Sequence, residues 1–104
     1  MNTFIPKASG TLLLGVTNVD NSIALLAGTS AIMLLNTSLV NDVWVEMNAA
    51  ATIPIVGTPG SLRIKPGAYI VLGVGATATQ VNSLHAIASV AGPSNLEITC
   101  GSGE

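Results

Sequence analysis

The sequence predicts an all-β domain, a single antiparallel sandwich of about eight short strands. Three observations predict it. Val, Ile and Leu runs of roughly four to six residues recur along the chain. Gly, Pro, Asn, Ser and Thr interrupt them every few residues, so helical templates fail almost everywhere. Several runs alternate apolar and polar residues with period two, the pattern of a half-buried strand.

The chain has 104 residues, the size of one domain, and no shift in composition divides it. Residues 1–10 read as an N-terminal arm and the Gly-rich residues 101–104 as a tail that is mobile unless a neighbour holds it. Between them, strands are expected at 11–17, 22–26, 30–36, 42–47, 60–65, 68–73, 84–90 and 95–100.

Each strand has its own warrant. In the fourth, Val43, Val45 and Met47 fall on one face, expected to be core, and Trp44 with Glu46 on the other. In the fifth, Leu62 and Ile64 point in while Arg63 and Lys65 point out. In the last, Leu96, Ile98 and Cys100 point in, leaving Glu97 and Thr99 outside. The third, Ala31-Ile32-Met33-Leu34-Leu35, does not alternate. It reads as covered on both faces, either central in the sandwich or buried at a subunit contact. Asn36-Thr37-Ser38, Thr58-Pro59-Gly60, Lys65-Pro66-Gly67 and Gly92-Pro93-Ser94-Asn95 supply the turns, proline presetting φ and Gly or Asn accepting positive φ.

Charge is sparse. Only 8% of residues are charged and the net charge is −2, against about 25% charged residues in an ordinary soluble domain. The eight charges stand singly, so no basic patch serves nucleic acid, and Phe4, Trp44 and Tyr69 make a poor stacking platform. Mean hydropathy is +0.67, yet the apolar runs are far shorter than the roughly 18 residues a spanning helix needs. No signal-peptide pattern is legible at the start, which makes cytoplasmic synthesis the expectation.

Motifs of chemistry are weak. Gly73-Val74-Gly75-Ala76-Thr77-Ala78 spells a GxGxxA string, but poor helix formers follow it and the next acid is Glu97, so a loop is expected rather than a nucleotide cradle. His85 is the only histidine and has no nearby carboxylate in the sequence for a triad or dyad. It is expected at a polar strand face or subunit contact. One His and one Cys are too little for a zinc site, and Cys100 reads as a buried small hydrophobe. Asp42 and Glu46 would share a strand face about 13 Å apart, too wide for a glycosidase pair. Trp44 reads as a core or interface anchor. No catalytic residue, metal or cofactor is expected, and the interface candidates are Trp44, Tyr69 and His85.

From Ile32 onward the strands and turns follow one order. Ile32-Met33-Leu34-Leu35-Asn36-Thr37 is followed by Val43-Trp44-Val45, Ile53-Pro54-Ile55-Val56-Gly57, Ser61-Leu62-Arg63-Ile64, Pro66-Gly67, Tyr69-Ile70-Val71-Leu72 and Leu96-Glu97-Ile98-Thr99 with the Gly-rich tail. This order, covering about two-thirds of the chain, resembles small head decoration (cement) and other virion structural proteins of tailed bacteriophages. The resemblance implies a jelly-roll-like sandwich without catalytic residues. It implies binding to the major capsid protein on the outer surface of the head. Sparse charge separately predicts apolar surface hidden against copies of the chain itself or a shell protein, a trimer being the guess at a local threefold site. A tail or head-to-tail connector subunit is the alternative within that class, and a virion carbohydrate-binding module using Trp44 and Tyr69 is the alternative outside it.

Overall fold

The computed structural model describes residues 4–74, 82–90 and 94–102. Eight strands occur there: β1 (Ile5–Val16), β2 (Asn21–Ala24), β3 (Ala31–Asn36), β4 (Val43–Met47), β5 (Leu62–Ile64), β6 (Tyr69–Gly73), β7 (Ser83–Ala88) and β8 (Ser94–Ser102). They match the eight expected strands, with ends displaced by a few residues except at β1. Much of the GxGxxA string, Gly92-Pro93 of one expected turn, and Gly103-Glu104 of the tail lie outside the described residues.

The strands form two four-stranded sheets, β1-β8-β3-β6 and β2-β7-β4-β5. Every pairing is antiparallel, and the first half of the chain pairs with the second as nested partners: β1 with β8, β2 with β7, β3 with β6 and β4 with β5. A long hairpin wound in this way is a jelly roll. The β3–β8 and β4–β7 pairings complete the two sheets.

The inward faces meet in one core. Leu14, Val16, Ile32, Leu34, Leu96 and Ile98 come from the first sheet, and Val43, Val45, Ile64 and Leu84 from the second. Each fully buried side chain of this size stabilises the fold by about 1.5–3 kcal/mol relative to exposure. Cys100 is buried among them.

Turn chemistry fixes the corners. Ala68 N–H bonds to the Lys65 carbonyl at 3.0 Å and Gly67 has φ +73°, so Pro66-Gly67 form the centre of a type II-like turn. A second tight turn of this kind centres on Val56-Gly57 and not on Thr58-Pro59-Gly60: Ile55 and Thr58 exchange backbone bonds of 2.9 and 3.3 Å, with Gly57 at φ +85°. A third centres on Ala27-Gly28, with Thr29 N–H on the Leu26 carbonyl at 3.3 Å and Gly28 at φ +78°.

Three expectations are corrected. Ile5 to Gly10 are no free arm, because Ile5 pairs with Ser102 and Pro6 with Gly101 in β8, which also draws Gly101 and Ser102 out of the expected tail. The ladder is interrupted between Pro6 and Thr11, where Ser9 takes φ +53°. Second, β3 is central in its sheet but alternates after all: Ile32 and Leu34 are fully buried while Met33 and Leu35 face outward, partly exposed. Its unbroken apolar run reflects an apolar outer face. Third, Leu62 is half exposed, because β5 is an edge strand and Leu62 lines a cleft at the open margin of the sandwich.

Candidate functional site

Trp44, Tyr69 and His85 are not brought together. Tyr69 lies on the outer face of the first sheet and is 64% exposed. The register builds two rows across that face, Leu13–Glu97–Leu35–Tyr69 and Thr11–Thr99–Met33–Val71. Glu97 is the only charge in them. Met33, Leu35, Tyr69, Glu97 and Thr99 surround a shallow hollow of about 230 Å³.

Trp44 and His85 occupy the outer face of the other sheet, where Trp44 stands opposite Ile87 and His85 opposite Glu46. Trp44 is only 8% exposed, the buried alternative of its core-or-interface reading, and it stands on a different sheet from Tyr69, which removes a joint Trp44–Tyr69 sugar platform. The 48–61 segment is tied to this face by polar contacts. Asp20 Oδ1 accepts the Ala51 N–H at 2.9 Å, and Asp20 Oδ2 lies 2.9 Å from His85 Nδ1. Ser61 Oγ accepts the Thr52 N–H at 3.0 Å and donates to Glu46 Oε1 at 2.8 Å. The Ala51 N–H, and then the His85 ring, hold the Asp20 carboxyl below the ordinary aspartate range. His85 thus has a carboxylate partner that sequence spacing did not disclose, and the hydroxyl of Ser61 is committed to Glu46. This arrangement fastens a loop. Asp42, by contrast, stands in a long 4.0 Å pair with Arg63 at the surface, worth little.

Two presented hydrophobic tips are more distinctive. In the β3–β4 connection, Leu39 is 90% and Val40 81% exposed, yet the loop around them is well bonded. The fully buried Asn36 donates from Nδ2 to the Asn41 carbonyl at 2.8 Å and the Ile64 carbonyl at 2.9 Å, and its Oδ1 accepts from Ser38 N–H at 3.1 Å. Ser38 Oγ accepts the Asn41 N–H at 3.0 Å, and Asn41 Nδ2 donates to Ser94 Oγ at 3.0 Å. The second tip is the Ile55–Thr58 hairpin, whose Ile55 and Val56 project into solvent. Apolar side chains on pre-ordered loops lose little entropy on docking. Sequence reading missed both tips, although large aliphatic pairs inside turn-forming stretches, Ser38-Leu39-Val40-Asn41 and Ile55-Val56-Gly57, are the available signal.

Among the described residues no three His, Cys, Asp or Glu side chains are grouped to hold a metal, and no helix is long and apolar enough to cross a membrane. No family model, curated protein or solved structure matches the chain.

Proposed function

We propose that this jelly roll is a tailed-phage virion protein that decorates the outer surface of the head, binds the major capsid protein and stabilises its lattice. The observation that carries this reading is the Leu39–Val40 tip, two large hydrophobics held in solvent by a hydrogen-bonded loop. Sparse charge points the same way, since few charged groups need be desolvated on contact. The jelly roll is a fold shared by many viral shell proteins, which is support by analogy alone.

Burying the Leu39–Val40 pair is worth about 3–6 kcal/mol, a factor of roughly 10² to 10⁴ in a binding constant, against which stands the loss of translational and rotational freedom on association. One copy therefore binds weakly. Copies arrayed on a lattice gain effective concentration from their neighbours, and a ligand that prefers the intact shell stabilises it by the difference in affinity.

The test uses heads assembled without the protein. They should form, but lose DNA at a lower temperature than decorated heads, and added protein should restore resistance saturably while a Leu39→Asp, Val40→Asp variant should not. Equal opening temperatures would overturn the reading. Heads of normal stability that fail to join tails would replace it with the connector role.

A further inference from the structure

Jelly rolls leave four edge strands, and here three of them are guarded. β1 carries Pro6, which has no N–H, beside the Pro6–Thr11 irregularity with Lys7, and it also packs alongside β2. β2 has four residues and follows Asp20. β5 has three, contains Arg63 and runs into Lys65-Pro66. Short, charged, bulged or proline-bearing edges resist pairing with another chain. β6 has none of these protections: Tyr69-Ile70-Val71-Leu72-Gly73 has no charge, no proline and an unbroken register with β3, and among the described residues no strand pairs with its other side.

The hydrogen bonds show which groups that edge offers. Asn36 N–H bonds to the Ala68 carbonyl and Val74 N–H to the Ser30 carbonyl. In an antiparallel ladder bonding alternates, so Ile70 and Leu72, like Ala68 and Val74, direct their backbone groups to β3. Tyr69, Val71 and Gly73 direct theirs outward, at the free edge.

We infer that β6 is a self-association edge, at which two copies of this chain pair antiparallel across a twofold axis at Val71. The strand is complementary to itself in that register. Val71 meets its own copy, Tyr69 meets Gly73 in both directions, and the outward N–H and C=O groups of these three residues close about six backbone hydrogen bonds. Tyr69 then covers the bare strand surface at the opposite Gly73, a favourable cross-strand use of an aromatic. On the core side Ile70 stands opposite Leu72. The two Glu97 side chains, the charges on the joined outer face, are separated by five strand spacings, about 24 Å or more, beyond the roughly 8–10 Å screening length at physiological salt. An isologous contact of this kind closes at two copies, in place of the trimer expected from sequence. It does not depend on the capsid role, because it is read on the purified protein alone.

Sedimentation velocity of the full chain should show a concentration-dependent dimer. Val71→Lys and Val71→Glu each place like charges face to face at the axis, and each alone should be monomeric with the far-UV spectrum of the parent and the thermal midpoint that the parent shows when dilute enough to be monomeric. Mixing the two should restore dimer, because Lys then faces Glu. Hydrogen exchange at the Tyr69, Val71 and Gly73 amides should slow as the parent protein dimerises; docking through the sheet face would leave these amides unchanged. A monomer at every concentration, a trimer, a dimer unaffected by Val71→Lys, or edge amides indifferent to concentration would each overturn the inference.

Discussion

Replacing Asn36 tests the loop that presents Leu39 and Val40. Its amide satisfies two carbonyls and one N–H, and the Ile64 carbonyl it serves is buried. Asn36→Ala removes three hydrogen bonds, each worth about 1 kcal/mol net, and strands one or more buried partners. The expected loss is about 3 kcal/mol, or about 15 °C in thermal midpoint for a domain of this size. Asn36→Asp keeps the acceptor for Ser38 but turns a carboxylate oxygen toward two carbonyls at 2.8 and 2.9 Å. Burial and that repulsion raise its folded-state pKa above the unfolded value. Its stability relative to the parent is therefore best below about pH 4 and falls as pH rises through the raised folded value. At neutral pH the aspartate variant should be less stable than the alanine variant. Trp44, the single tryptophan and buried when folded, reports urea unfolding by fluorescence. An alanine variant within about 0.5 kcal/mol of the parent would refute the reasoning, since that is the range of an ordinary surface substitution. So would an aspartate variant equally penalised at pH 4 and pH 8.

Further outcomes follow from other parts of the fold. Val45→Asp buries an unpaired carboxylate in the core and should abolish soluble folding; a parent-like melting curve would show that β4 is misassigned. Gly101→Ala would drive a Cβ into the Ile5 carbonyl and the Phe4 ring, so it should cost about 1–3 kcal/mol and speed exchange at the Ile5 end of β1; unchanged exchange would contradict the pairing. Asp20→Asn should flatten part of the acid limb of the stability profile. The depressed carboxyl contributes stability that is present above the ordinary aspartate pKa, about 3.9, and is lost as pH falls through its lower folded value; a variant with the parent's acid profile would show that the Ala51 and His85 contacts do not persist in solution. Leu39→Asp with Val40→Asp should leave the melting midpoint within a few degrees of the parent, because neither side chain is packed; a large drop would mean that the tip supports the fold.

The strands were legible because local alternation carries them. Leu96, Ile98 and Cys100 alternate with Glu97 and Thr99, and the structure buries the first three. Val43 and Val45 against Trp44 and Glu46 were read with the correct facing. What failed was set by residues distant in sequence. Ile5-Pro6-Lys7 has no strand pattern of its own and is held by pairing with Gly101 and Ser102. Trp44 is on the outward face as expected, but that face carries a segment tied down through Asp20 and Ser61. Asp20 and His85 are 65 residues apart, beyond any spacing rule. The β3 run reads as doubly covered, because an apolar outer face and a buried one look alike in sequence. Among the candidate residues only Tyr69 remains openly exposed, and an aliphatic pair such as Leu39–Val40 looks the same in sequence whether a loop presents it or the core buries it.

The most direct test is the position of the domain on the particle. Electron cryomicroscopy of intact virions should show this jelly roll on the outer surface of the head, with the Leu39–Val40 loop against the major capsid protein. Heads without such density, or the domain found only at the tail or the head-to-tail junction, would contradict the account.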